Sequence, residues 1–163
     1  MAFDTFIELE GIEGESTAKG MEKKIEIYSF SWGASNPTTV GAGKTGISAG
    51  RVSSLNVMKK TDKASARLFL KCCQGQTVPK ATVTMRKAGG EAGQKPFLVY
   101  KFTDVMVESI QWSGSSGGDD TPTESVSLAF AKVEIEYTLT GKDGKLTEKG
   151  PGATWDLTTV SKD

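Results

Sequence analysis

The sequence predicts a mainly β protein, a barrel or a sandwich with one flanking helix and long glycine-rich loops. Three observations predict it. Seven stretches are rich in β-branched and aromatic residues and alternate with period two. A single stretch has helical spacing. The connections between them are polar and glycine-rich, and one of them, GASNPTTVGAGKTGISAG (33–50), holds only two bulky apolar residues, Val40 and Ile47.

Taken in order, strands are expected over 5–12 (TFIELEGI), 24–32 (KIEIYSFSW), 51–58 (RVSSLNVM), 81–87 (ATVTMRK), 97–112, 124–140 and 154–160 (TWDLTTV). The cleanest is 81–87, with Ala81, Val83 and Met85 on one face and Thr82, Thr84 and Arg86 on the other. Two strands change phase. In 24–32 the apolar set passes from Ile25 and Ile27 to Tyr28, Phe30 and Trp32. In 124–140 it passes from Val126, Leu128 and Phe130 to Val133, Ile135, Tyr137 and Leu139. A β-bulge produces such a slip, and so does a strand covered on both faces.

The helical stretch is DKASARLFLKCCQG, with the helix placed at about 62–74. Ala64, Leu68 and Cys72, joined by Ser65 and Phe69, make the stripe that packs against the sheet. Thr61 or Asp62 can cap its start and Gly75 can end it. Besides 33–50, long connections are expected at 113–123 and 141–153. Loops of that length are uncommon in compact domains unless they are functional or disordered. AGGEAGQKP (88–96) reads as a shorter hairpin connection.

A length of 163 residues fits one domain, read here as 1–163, with a sizeable core. Twenty basic residues balance twenty acidic ones, so net charge gives no reason to expect nucleic acid or an anionic membrane. The start, MAFDTFIELEGIEGE, has no apolar run of the kind a secretory signal needs, and no stretch reaches transmembrane length. Synthesis and folding in the cytosol are expected, with any export by a route that reads no N-terminal signal.

Histidine is absent altogether, which removes the commonest general base and metal ligand. The two cysteines, Cys72 and Cys73, are adjacent: too few for zinc, and strained if bonded to each other. Asp119 and Asp120 lack the spacing of a calcium loop. Trp32, Trp112 and Trp155 are not interleaved with basic runs, so packing is preferred to base stacking. No catalytic group, cofactor site or metal site is expected.

GAGKT, 41–45, reads like the end of a phosphate-binding P-loop. The full pattern needs a glycine five residues before Gly43, a preceding strand and a following helix. Position 38 is Thr, Pro37 separates the loop from the strand-like run, and Gly46 and Gly50 disfavour a helix by about 1 kcal/mol each. The motif is therefore read as a flexible loop.

The segments GIEGES, IEIYSFSWG, GAGKTG, DKASARLFLKCCQG, TVTMRKAGG, ESVSLAFAKVEIEY and TWDL stand in an order and spacing that resembles the haemolysin-coregulated protein family. These are inner-tube subunits of bacterial type VI secretion systems. The likeness runs from FIELEGIEGES to Trp155. One departure is Met21, where many relatives have histidine.

The resemblance implies a small closed or nearly closed barrel flanked by one helix, similar to phage tail-tube proteins. It implies six-fold rings stacking into a tube that a contractile sheath propels, with a spike protein at the tip and small effectors in the lumen. It implies cytoplasmic assembly and secretion on firing, without nucleic acid or membrane insertion. The chain ends soon after TWDL, so the toxin domain of some relatives is not expected. Thr39, Val40, Gly41, Ala42, Gly43, Lys44, Thr45 and Gly46 are then the contact loop between subunits or rings. Ser29 and Ser31 face the lumen, and Tyr28, Phe30 and Trp32 face the core. A phage-like or extracellular injection tube, and a ligand-carrying barrel, are the alternatives.

Overall fold

Sustained alternation folds as strand, and the model shows how the strands share neighbours. The structure is a computed structural model that describes residues 3–37, 39–41, 44–46, 50–88, 93–118, 120–141 and 146–159. Its strands are β1 (Asp4–Leu9), β2 (Ile25–Glu26), β3 (Ser29–Ser31), β4 (Ala34–Ser35), β5 (Thr39–Gly41), β6 (Lys44–Gly46), β7 (Arg51–Val52) and β8 (Leu55–Lys60). After helix α1 (Ser65–Gln74) come β9 (Thr77–Ala88), β10 (Gln94–Ser113), β11 (Thr123–Ala129), β12 (Lys132–Thr140), β13 (Leu146–Lys149) and β14 (Ala153–Asp156).

Ten strands form one antiparallel sheet, ordered β2-β1-β9-β10-β11-β8-β3, with β12 on β10 and carrying β13 and β14. Strand β10 organises it. One edge pairs with β9 from Gln94 to Met106, while the other pairs first with β12 and then with β11. The change of partner falls at Phe130–Ala131, where the sequence changes phase, and Ala131 N–H bonds back to the Thr103 carbonyl. Opposite that break, Asp104 has a left-handed φ of 53°, and the β10–β11 register slips between Val107 and Ser109. Phe130 and Val133 are buried as the phase change requires, but Leu139 is exposed, at the far end of β12.

The expected closure into a barrel is not found. The ladder is open and ends at β2 on one side and β3 on the other. Both ends belong to one short stretch that divides itself between two neighbours: Ile27 N–H bonds to the Thr5 carbonyl and Tyr28 N–H to the Met58 carbonyl. Chain, not a ladder, joins the edges. The slip in this stretch also falls one residue later than expected. Ile25 and Ile27 are buried, Tyr28 and Ser29 both point outward, and Phe30 and Trp32 turn back in. Tyr28 is therefore exposed, at 59%, and is not a core residue; its ring lies 5.8 Å from the Lys60 ammonium.

The core runs between α1 and the inner sheet face, through Ile7, Ile25, Leu55, Leu68, Val83, Phe102, Val126 and Leu128. Burying such side chains is worth about 1.5–3 kcal/mol each, which decides the register. Strand β9 is buried on both faces. Its outer residues Thr84 and Arg86, with Phe6 of β1, are covered by segment 13–24, in which Met21 is buried. Arg86 lies over the Phe6 ring at 4.9 Å and donates to the Lys19 carbonyl at 2.8 Å. Gly14 permits this return: a Cβ there would stand 2.4 Å from the Lys24 carbonyl oxygen.

Helix α1 starts three residues later than expected. The N-cap position is Ala64, not Thr61 or Asp62, and no side chain caps the helix; Asp62, just before it, accepts from Ala64 N–H at 3.0 Å. Gly75, at φ 64°, closes the helix, with its N–H and that of Gln76 bonded to Cys72 and Lys71 carbonyls. Ala64, Ser65 and Leu68 are buried. Phe69, expected in the packed stripe, is instead 45% exposed, tilted against Trp112 at 5.8 Å. Cys72 is half-buried, Cys73 exposed, and both are free. Among the described residues, no helix is long and apolar enough to cross a membrane.

Candidate functional site: an outward sheet face and a separate hairpin

On β3, alternation leaves Ser29 and Ser31 exposed on either side of half-buried Phe30. Pairing extends their face across the sheet. Ser29 stands beside Met58 and Ser31 beside Asn56; these stand beside Ser125 and Ser127, which in turn face Gln111 and Ser109 of β10. Four strands thus display a mostly polar, uncharged surface, interrupted by Met58, a large apolar side chain 40% exposed. The carboxylate in contact with it is Glu108, which accepts from the Ser127 hydroxyl at 2.9 Å.

Behind this face is an aromatic cluster. Trp32 meets Tyr100, Phe102 and Phe130 edge-on, at 5.1, 5.6 and 6.1 Å, the T-shaped geometry aromatic quadrupoles favour. Burial raises the Tyr100 hydroxyl above its ordinary pKa, with a bond to Trp32 opposing it. Asn56, Ser125 and Ser127 were missed by the sequence reading; the S-V-S-L alternation of 125–128 carried the signal for two of them.

Beyond Trp32 the chain enters the glycine-rich connection, whose described residues pair in two short ladders. Gly33 and Ser53 clamp its base. Gly33 N–H donates to the Ser53 hydroxyl at 2.8 Å, and Ser53 N–H to the Gly33 carbonyl at 2.8 Å. Strand β4 pairs with β7, and β5 with β6, Val40 opposite Thr45. Of the expected contact residues, Thr39–Gly41 and Lys44–Gly46 therefore form a hairpin separate from the main sheet, while Ala42 and Gly43 lie outside the described residues. Lys44–Gly46 is extended where a P-loop requires the start of a helix, so the backbone here does not cradle phosphate.

A further polar group was not foreseen. Lys59 and Glu124, on neighbouring strands, are 1% and 0% exposed and bond at 2.7 Å. The ammonium also contacts Asp62 at 2.9 Å and the Ser65 hydroxyl at 3.2 Å, while Trp112 Nε1 donates to the second Glu124 oxygen at 2.7 Å. Burial alone would raise the Glu124 carboxyl; bonds to Lys59, Ser65 and Trp112 outweigh it and hold the group below its ordinary value. Fully satisfied, this network ties the start of α1 to the sheet.

With the geometry described, likeness to known proteins can be weighed. The family described as "Type VI secretion system effector, Hcp" matches residues 6–137. "Protein hcp1" of Pseudomonas aeruginosa is 38% identical over 145 residues, covering 88% of each chain. A solved "type six secretion system protein" superposes with a TM-score of 0.91 at 37% identity, covering 99% of this chain and 100% of its own. Hcp1 of Salmonella typhimurium does so with a TM-score of 0.80 at 33% identity, covering 98% and 97%. On this sequence match and this shared fold, the chain belongs to the Hcp family of type VI secretion proteins.

Proposed function

We propose that the chain is the repeating subunit of a type VI inner tube, a single unit spanning 1–163 and structural, not catalytic, in its work. Subunits associate head-to-tail into six-fold rings, and rings stack into a tube. A heterologous contact that closes by rotation makes a ring, and one that repeats by translation makes a filament. The likeness to phage tail-tube subunits belongs to this reading, as does a barrel-like closure of the sheet within the ring. Hairpin β5–β6 reaches a neighbouring subunit or ring, and Ser29 and Ser31 line the lumen where small effectors are held. A contractile sheath outside and a spike at the tip are the other partners. The tube assembles in the cytoplasm and leaves the cell on firing.

The observation that carries this reading is the face built from β3, β8, β11 and β10. It is mostly polar and uncharged apart from exposed Met58, and aromatics pack behind it. A surface past which folded cargo travels needs hydrogen-bonding capacity without strong charge or large apolar patches. The test is native mass spectrometry of the purified protein at micromolar concentration, with negative-stain images of the same sample. Six-fold rings or short stacks are expected. A monomer at every concentration, holding an apolar ligand, would replace this reading with that of a carrier.

A further inference from the structure

Arginine carries five N–H donors in a fixed fork and no acceptor, so a buried one needs oxygen on every side. Arg86 is 5% exposed and falls short of this. One terminal nitrogen, Nη1, donates to the Lys19 carbonyl at 2.8 Å. The other, Nη2, meets the Asp4 carboxylate at 3.3 Å, longer than the roughly 2.7–2.9 Å of a well-made charged bond. Its Nε is buried and has no partner among the described residues. The Phe6 ring covers a flat side of the guanidinium at 4.9 Å, which leaves the edge of the fork for a ligand. Asp4, Lys19 and Arg86 line one groove, together with Gln94 and Lys95. Three cations thus gather around one carboxylate. Lys19 and Lys95 form no ion pair among the described residues. Glu22, near Arg86, accepts from Gly20 N–H at 3.0 Å and does not line the groove.

We propose that this groove is a binding site for an oxyanion of the phosphate class. Three cations against one carboxylate leave two positive charges uncompensated, and like charges held together repel. A phosphate group, with about −1.5 to −2 charges at neutral pH, matches them. Asp4 is half-buried and touches one prong of the fork only, so it swings away as the ligand enters. Two phosphate oxygens then take Nε and Nη2 of Arg86, the paired geometry in which arginine binds phosphate. The remaining oxygens face the ammonium groups of Lys19 and Lys95. A monocarboxylate brings half the charge and no third oxygen, so it binds less well. The site stands whether or not the chain assembles.

The probe is inorganic phosphate, titrated by calorimetry into the full chain in a phosphate-free buffer at about 50 mM salt, where screening is weak. One saturable site per chain is expected, with acetate binding more weakly. Arg86 also anchors segment 13–24, so the lysines carry the test. Neither Lys19 nor Lys95 is buried, and far-ultraviolet circular dichroism checks that their variants fold. Lys19→Ala with Lys95→Ala should weaken phosphate binding by about tenfold. Lys71→Ala with Lys80→Ala removes the same charge outside the groove and should leave binding unchanged. Asp4→Asn should tighten binding, and Glu22→Gln should not. Absence of saturable binding, or equal weakening by both lysine pairs, overturns the inference; acetate binding as tightly as phosphate overturns the ligand class. Flotation with phosphatidylcholine vesicles containing phosphatidic acid separates the two sources of such a group. Capture that is lost in Lys19→Ala with Lys95→Ala assigns the site to a lipid headgroup, and calorimetric binding without capture assigns it to a free anion.

Discussion

Buried charge decides the behaviour of single residues here. Glu124 and Lys59 neutralise each other out of contact with water; without Glu124 the ammonium still has Asp62, but without Lys59 the buried Glu124 carboxylate has no cation. Lys59→Met should therefore destabilise the chain by about 3–5 kcal/mol, and Lys59→Met combined with Glu124→Leu by much less. Urea titration followed by tryptophan fluorescence measures both, and Trp112, which loses its acceptor in the double variant, also reports the local change. Because the folded Glu124 carboxyl titrates below its ordinary 4.5, its contribution is complete above that value. It disappears as pH falls through the lower folded value, so the parent chain should lose stability in acid more steeply than the Lys59→Met, Glu124→Leu pair. At the surface, Ser31 is exposed and small. Ser31→Glu should leave ring formation intact and weaken effector capture by about tenfold, read by co-purification of a cargo protein. Unchanged capture would remove Ser31 from the lumen surface.

At the scale of elements, the connections carry as much design as the strands. Segment 13–24 folds back over β1 and β9 because Gly14 lets two backbones touch and Arg86 holds the returning chain. Gly14→Ala should lower stability by about 1–3 kcal/mol, since the Cβ meets backbone that cannot yield as a side chain does. A thermal melt unchanged from the parent would show that the segment sits elsewhere in solution. The β5–β6 hairpin makes the opposite kind of prediction. Lys44→Ala should leave the melt unmoved and no ATP binding should be detectable before or after, while tube length falls in negative-stain images. A measurable ATP affinity lost in the variant would return the P-loop reading to consideration.

For the whole molecule, assembly must appear as linkage. Anything that binds the folded chain and not the unfolded one raises apparent stability by mass action. If copies are the ligand, the melting temperature should climb with protein concentration. A melting temperature independent of concentration over two or three decades would mean that association and folding are uncoupled.

What the sequence settled by itself was whatever follows from local period and composition. Alternation located β1, β9, β10 and the span of β11 and β12, which it read as one strand, the i, i+4 spacing located α1, and Gly75 marked its end, because each depends on neighbours a few residues away. The outward direction of Ser29 and Ser31 followed from parity in the same way. The phase change in 124–140 was legible as a slip, yet only the sheet reveals that it marks where β10 exchanges one partner for another. Tertiary structure alone decided the rest. Period cannot say which of Tyr28 and Ser29 absorbs a slip, because either keeps Ile27 and Phe30 inside. Nor can it see that segment 13–24 covers Thr84 and Arg86, or that Lys59 meets Glu124 from 65 positions away. Those outcomes depend on contacts between distant segments, and their cost or benefit exists only once the chain has brought them together.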